Sequence, residues 1–148
     1  MMAHVRKSIR DNITTTLTGL TTTGSNVFQT RLFPIEESKV PALCIYTKSE
    51  ESEYATLTTP RTQMRALEVM VEAYVKGTAN LDNTIDTIAV EVEEALATDV
   101  TRGGSAKDTR ITSVDIEFNG DAEQSVAVAR FTVAVDYATV ENDIETAV

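Results

Sequence analysis

The sequence predicts one α+β domain in which two helices cover one face of a mixed, mostly antiparallel five-stranded sheet. Two segments carry apolar residues at helical spacing, and several others alternate apolar and polar residues as strands do. Most neighbouring strands are joined as hairpins, so the predicted order along the 148 residues is α-β-β-β-α-β-β. A chain of this length can bury roughly two-thirds of its unfolded surface in a single core.

The first predicted helix spans residues 3–18. Its apolar residues recur every four positions and form one stripe, with charged residues on the other side. They are Val5, Ile9, Ile13 and Leu17. Threonines fill the second half of the helix and lose side-chain freedom there, so packing rather than propensity has to stabilise it. Gly19 or Gly24 is expected to end the helix.

Two strands are predicted next, at residues 26–33 and 42–47, and a proline bounds each one at an edge. The following stretch, residues 48–60, is acidic, polar and without a sustained period. We expect a long mobile loop or a floppy hairpin tip there, and loops of this length inside a compact domain are often functional.

The middle of the chain has the clearest patterns. Residues 62–76 alternate cleanly, which predicts a long central strand whose second face carries Met70 and Tyr74 among charged residues. Residues 81–98 then place apolar side chains at helical spacing, after Asn80 as a suitable N-cap.

Two further strands, residues 109–118 and 125–137, complete the predicted sheet, with residues 119–124 as the turn and hairpin loop between them. The acidic tail, about residues 138–148, is expected to fray. Because the two helices supply apolar stripes for one sheet face only, the opposite face is expected to meet water or a partner protein.

The charge of the chain is acidic and unevenly spread. It carries 13 basic and 23 acidic residues, a net charge of −10, which argues against sequence-independent binding to nucleic acid or anionic membranes. Residues 1–47 contain five basic and three acidic groups, a net of +2, whereas residues 48–148 contain eight and 20, a net of −12. Such polarity suits a subunit with complementary faces, although a solvated acidic surface is the simpler explanation.

Residues suited to catalysis or metal binding are sparse. The single histidine, His4, lies near a terminus, and the single cysteine, Cys44, lies in a predicted buried strand and excludes an intrachain disulfide. Asp82 and Asp86 share a helix face, but their place in the first turns makes them complements of the helix dipole. We therefore predict no enzyme activity, no cofactor and no metal site, and we find neither a signal peptide nor a membrane span.

Three phrases in the first third of the sequence are distinctive. They are Leu17-Thr18-Gly19-Leu20-Thr21-Thr22-Thr23-Gly24 with Val27-Phe28, Arg31-Leu32-Phe33-Pro34, and Val40-Pro41-Ala42-Leu43-Cys44-Ile45-Tyr46-Thr47. These phrases resemble a known family, the tail terminator proteins of long-tailed phages, similar to the lambda-type minor tail protein U. The long strand around residues 67–74, the helix at residues 81–96 and the two closing strands continue the resemblance over nearly the whole chain.

The resemblance implies a structural virion protein, assembled in the host cytoplasm. Subunits of this family form a hexameric ring that caps the tail tube, stops its polymerisation and joins the tail to the head. The implied partners are further copies of the chain, the tail tube protein and a head–tail connector or neck protein, while DNA passes through the lumen without specific binding. A head-closure or neck ring protein is the nearest alternative, and a regulatory domain that binds a small ligand is a more distant one.

The candidate interface residues lie in the predicted loop, at its base and on the open sheet face. We expect the loop to contact the tail tube and the open face to contact a neighbouring subunit. The candidates are Glu50, Glu51, Glu53, Tyr54, Arg61, Arg65, Met70 and Tyr74.

Overall fold

A computed structural model describes residues 3–29, 40–77, 79–119 and 125–148. The predicted order of helices and strands is confirmed, and the described residues add one short C-terminal strand. The elements are α1 (Val5–Leu17), β1 (Val27–Phe28), β2 (Ala42–Tyr54), β3 (Thr62–Gly77), α2 (Leu81–Thr98), β4 (Asp108–Asn119), β5 (Ser125–Val140) and β6 (Asp143–Ala147). Half of the predicted strand at 26–33 and most of the predicted turn at 119–124 lie outside the described residues.

The strands form one mixed sheet in the order β1-β2-β3-β5-β4, with β6 paired to the end of β5. β1 is parallel to β2, and the other neighbours are antiparallel. β3 and β5 pair over their whole length, from Thr62 opposite Val140 to Gly77 opposite Ser125. These two strands are therefore the rigid centre of the sheet.

Both helices pack on the same face of the sheet, as predicted, and enclose one apolar core. Each large aliphatic or aromatic side chain buried there stabilises the fold by roughly 1.5–3 kcal/mol. The helices contribute Val5, Ile9, Ile13, Leu17, Ile85, Ile88, Val92 and Leu96, and the sheet contributes alternate residues of β2, β3 and β5. The two helical stripes are those predicted from the sequence.

The ends of the helices follow the sequence with one exception. The backbone N–H of Arg6 donates to Nδ1 of His4 at 3.0 Å and caps α1, and Gly19 follows the helix with a φ of +91°. Asn80 precedes α2 in the left-handed conformation, at a φ of +62°, but its side chain makes no capping hydrogen bond. Its carbonyl accepts the N–H of Thr84 at 3.2 Å instead.

Two stretches that were predicted to be irregular are strands. β2 continues to Tyr54, opposite Gln63, so only residues 55–61 connect β2 to β3 and the predicted loop at 48–60 is wrong in its first half. β5 continues to Val140, and β6 pairs with it where a frayed tail was predicted. Main-chain hydrogen bonds form these segments without the apolar alternation that reveals a half-buried strand.

A β-bulge at Lys48 changes the direction in which the residues of β2 face. The register shifts between Thr47 and Ser49, so Lys48 has no opposite residue on β3. Before the bulge the odd-numbered residues of β2 face the helices, and beyond it the even-numbered residues do. Glu50 therefore lies on the helix side of the sheet.

Candidate assembly surfaces

The predicted interface residues fall into three separate places, and the structure does not gather them into one site. Glu50 and Arg65 meet on the helix side of the sheet. Met70 and Tyr74 lie on the opposite face, beside Glu72. The remaining four, Glu51, Glu53, Tyr54 and Arg61, lie at or near the turn between β2 and β3.

Glu50 is the centre of a polar cluster at the start of α1, here called the Glu50 cluster (Arg6, Glu50, Arg65 and Tyr137). Its carboxylate accepts hydrogen bonds from the Arg6 guanidinium and the Tyr137 hydroxyl. Nη1 of Arg65 lies 3.6 Å from Oε2 of Glu50, and the two side chains are only 10% and 9% exposed. The cluster thereby links α1 to β2, β3 and β5.

The surroundings of the Glu50 cluster hold its members in fixed roles. Arg65 also donates from Nε to the Thr139 hydroxyl at 3.0 Å. Burial, together with the bond to Glu50, raises the pKa of Tyr137, so its hydroxyl stays a donor. Burial and the charge of Arg6 lower the pKa of His4, which favours the neutral imidazole that caps α1. Glu50 and Arg65 are therefore already engaged within the subunit.

The turn between β2 and β3 exposes apolar and aromatic surface. We call residues 54–61 the hairpin tip. The guanidinium of Arg61 lies 3.9 Å from the ring centre of Tyr54, and its Nε donates to Glu141 at 2.8 Å. Tyr54 is 52% exposed and Leu57 is 95% exposed. Leu57 is the residue at the tip that sequence reasoning did not single out.

Glu72 is the centre of a second polar cluster, here called the Glu72 cluster (Tyr46, Glu72, Tyr74 and Arg130), on the sheet face away from the helices. Its Oε1 accepts the Tyr74 hydroxyl at 2.9 Å, and its Oε2 accepts the Tyr46 hydroxyl at 3.2 Å and Nε of Arg130 at 2.9 Å. Although no described helix covers this face, Glu72 is only 4% exposed. In the sequence, the signal for this cluster was a carboxylate, Glu72, in the middle of the longest predicted strand.

The Glu72 cluster forms the floor of an open depression of about 540 Å³. Lys48 contributes to its wall from β2 and Asp115 from β4, so the depression extends across the sheet. Burial and the bond to Glu72 raise the pKa of Tyr74, which keeps its hydroxyl a donor. Aromatic, thioether and charged groups on a shallow open surface suit a contact with another macromolecule better than an enclosed small ligand.

Metal binding and membrane insertion are two other classes of function. Across the four described ranges, no three His, Cys, Asp or Glu side chains lie close enough together to hold a metal ion. Neither of the described helices is long and apolar enough to cross a membrane.

The sequence from residue 4 to residue 137 matches the family model of phage minor tail protein U. This match includes both helices and most of the sheet. The chain belongs to the phage minor tail protein U family. It is therefore a structural protein of a phage tail and a part of the virion.

Other comparisons add little to this assignment. Among curated proteins, no sequence matches this chain. Among the solved structures, a chain from the virion of a native gene transfer agent particle is 10% identical, with a TM-score of 0.47 over 90% of this chain and 95% of that chain. A likeness this distant carries no argument about function. A structural tail protein acts through its contacts, so the open sheet face and the hairpin tip are its candidate assembly surfaces.

Proposed function

We propose that this minor tail protein is the tail terminator. Six copies form a ring that caps the tail tube at its head-proximal end, stops its polymerisation and presents a surface to the head–tail connector or neck protein. The observation that carries this proposal is the family match over residues 4–137.

The charge and the architecture of the chain support a ring around DNA. A closed ring needs head-to-tail contacts, in which two different surfaces of each subunit meet. The sheet offers a face that no described helix covers, where Met70 and Tyr74 lie, as one such surface. A net charge of −10 also favours passage of DNA, because acidic walls repel phosphate and do not retain it.

We assign the contact with the tail tube to the hairpin tip, together with Glu51 and Glu53 beside it. Leu57 is almost fully exposed, and an exposed leucine at the end of a hairpin is suited to enter a pocket on a partner. The Glu50 cluster supports this contact indirectly, because it fixes the base of the hairpin to α1. Arg65 belongs to that supporting cluster.

Phage lacking the gene tests the function as a whole. Loss of a terminator gives overlong tails in negative-stain images, whereas loss of a neck protein gives tails of normal length that are not joined to heads. Normal tail lengths in the deletion would contradict the proposal and favour the neck protein.

The hairpin tip is tested by complementing that deletion with Leu57→Asp. A charge in an apolar contact should weaken tube binding about a hundredfold and restore the overlong tails. The matched control is Val90→Asp on the outer side of α2, where the valine is 55% exposed. Normal tails from both variants would remove the hairpin tip from the contact.

A further inference from the structure

β4 is an outer strand of the sheet and exposes a row of apolar side chains. Its residues Val114, Ile116 and Phe118 face the helix side but are 39%, 43% and 53% exposed. No described strand pairs with the outer edge of β4. Soluble proteins usually protect such an edge with charge, proline or a covering element, because an open apolar edge invites pairing with another chain.

The acidic residues of β4 alternate with this row, and Asp115 lies opposite Arg130 of β5 in the strand pairing. Asp115 is exposed on the other face of β4, and it makes no ion pair within the described ranges. Glu117, two residues further along β4, is 69% exposed, and its Oε1 lies 3.1 Å from Nη1 of Arg130. The same arginine also pairs with Glu72. The β4 edge is thus both apolar and acidic.

The β2 side of the same sheet carries two cations, Lys48 and Arg10, that make no ion pair within the described ranges, although Glu51 and Glu53 lie further along β2. Lys48 is exposed at the bulge of β2 and, among the residues that the structure describes, has no ion-pair partner. Beside it, Arg10 of α1 donates to two neutral side chains, Gln29 at 3.2 Å and Thr47 at 3.0 Å. This side has positive charge available where the β4 edge has negative charge.

We propose that the β4 edge of one copy docks on the β2–α1 side of the next copy, with Asp115 close to Lys48 of the neighbouring chain. The apolar row supplies the affinity, and the opposite charges supply orientation and register. The two surfaces differ, so the contact is head-to-tail and can repeat around a ring. This inference rests on the proposed ring and names the surfaces that close it.

A second copy fits these surfaces better than a two-fold pairing of β4 with itself. A two-fold contact would use the same acidic edge twice and leave Lys48 and Arg10 without an acidic partner. Because β2 and β4 lie on opposite sides of the β3–β5 centre, every copy offers one surface of each kind.

A charge exchange between the two sides provides the test. Asp115→Lys and Lys48→Glu each place like charges across the contact, which should weaken association at least fivefold per contact, measured as the ring fraction by native mass spectrometry. Mixing the two variants in equal amounts should restore rings, because alternating subunits again present opposite charges at every contact. Asp86→Lys on the outer face of α2 is the matched control and should assemble normally.

The apolar row is tested with Ile116→Asp, which should reduce association about a hundredfold, while the thermal unfolding temperature stays within a few degrees of the wild type. Wild-type ring fractions for both charge variants, or a mixture that assembles no better than its components, would overturn the proposed contact. A wild-type chain that stays monomeric, even on purified tail tubes, would overturn the contact and the ring together.

The two proposals can fail separately. If the variants lose their rings while the gene deletion leaves tails at normal length, the contact stands and the terminator function falls. If the deletion gives overlong tails while every variant assembles as the wild type does, the function stands and the contact falls.

Discussion

The Glu50 cluster and the Glu72 cluster are built from the same chemistry but lie on opposite faces of one sheet. In each, a nearly buried carboxylate accepts hydrogen bonds from a tyrosine and an arginine. The partners of Glu50 come from a helix and from two further strands, whereas those of Glu72 all come from the sheet itself. The first cluster therefore joins layers of the fold, and the second shapes an open surface.

This difference explains why a charge is tolerated in each place. Removing a carboxylate from water is costly unless opposite charges and hydrogen bonds replace the lost hydration. Glu50 gains two guanidinium groups and the Tyr137 hydroxyl, and its removal leaves Arg65 buried without its carboxylate. Glu72 lies under an open depression, where water can approach its partners once it is gone.

The largest effect that separates the clusters is expected from Glu50→Ala. We expect the free energy of unfolding to fall by about 3 kcal/mol, because the substitution leaves the buried Arg65 without its counter-charge and the buried Tyr137 hydroxyl without its acceptor. Urea denaturation measures the change. Glu51→Ala, its exposed neighbour, is the matched control and should stay within about 0.5 kcal/mol of the wild type. Equal losses in the two variants would show that the Glu50 cluster does not join α1 to the sheet.

A smaller effect is expected from Glu72→Ala. The free energy of unfolding should fall by about 2 kcal/mol, because Arg130 retains its ion pair with Glu117 at 3.1 Å and water can reach the tyrosine hydroxyls. Glu68→Ala is the control on the same strand and face; among the described residues, its carboxylate accepts a hydrogen bond only from the exposed Ser49 hydroxyl, at 3.2 Å. A loss as large as that of Glu50→Ala, again from urea denaturation, would break the distinction between the two clusters.

The smallest effect concerns the reactivity of Cys44, which shares its sheet face with Glu72. Burial and, secondarily, the charge of Glu72 raise the pKa of the Cys44 thiol from 9.0 to about 11. At pH 8 we therefore expect about a hundredfold less thiolate than in the unfolded chain, and correspondingly slow labelling by Ellman's reagent. Glu72→Ala should speed native labelling severalfold, whereas Glu51→Ala should not. Identical rates in both variants would show that Glu72 does not act on the thiol.

Much of the fold was predictable because the residues that face the apolar core recur at helical or strand spacing along the sequence. The stripes of α1 and α2 and the alternation of β3 and β5 record which side chains face the core, and each was identified correctly. The outer half of β2 was not predicted, because neither of its sides faces the apolar core. From Lys48 to Tyr54 one side of the strand meets the polar Glu50 cluster and the other meets solvent, so no apolar alternation exists to find.

The candidate surfaces were less predictable than the core. The sequence places three glutamates at residues 50, 51 and 53 and does not distinguish among them. Glu72 likewise looked like one polar residue on a mixed strand face. Its partners Tyr46 and Arg130 come from strands that are distant in sequence, and only pairing of β2 and β5 with β3 brings them to the same carboxylate.

The sequence by itself determined the two helices, the long central strands and the acidic charge, because each depends on local pattern or composition. The tertiary structure alone decided which carboxylates are buried and which edge stays open. One extra residue at Lys48 turns Glu50 towards the helices and leaves Glu51 in water. A bulge is a property of how two strands pair, so no pattern along a single strand could have revealed it.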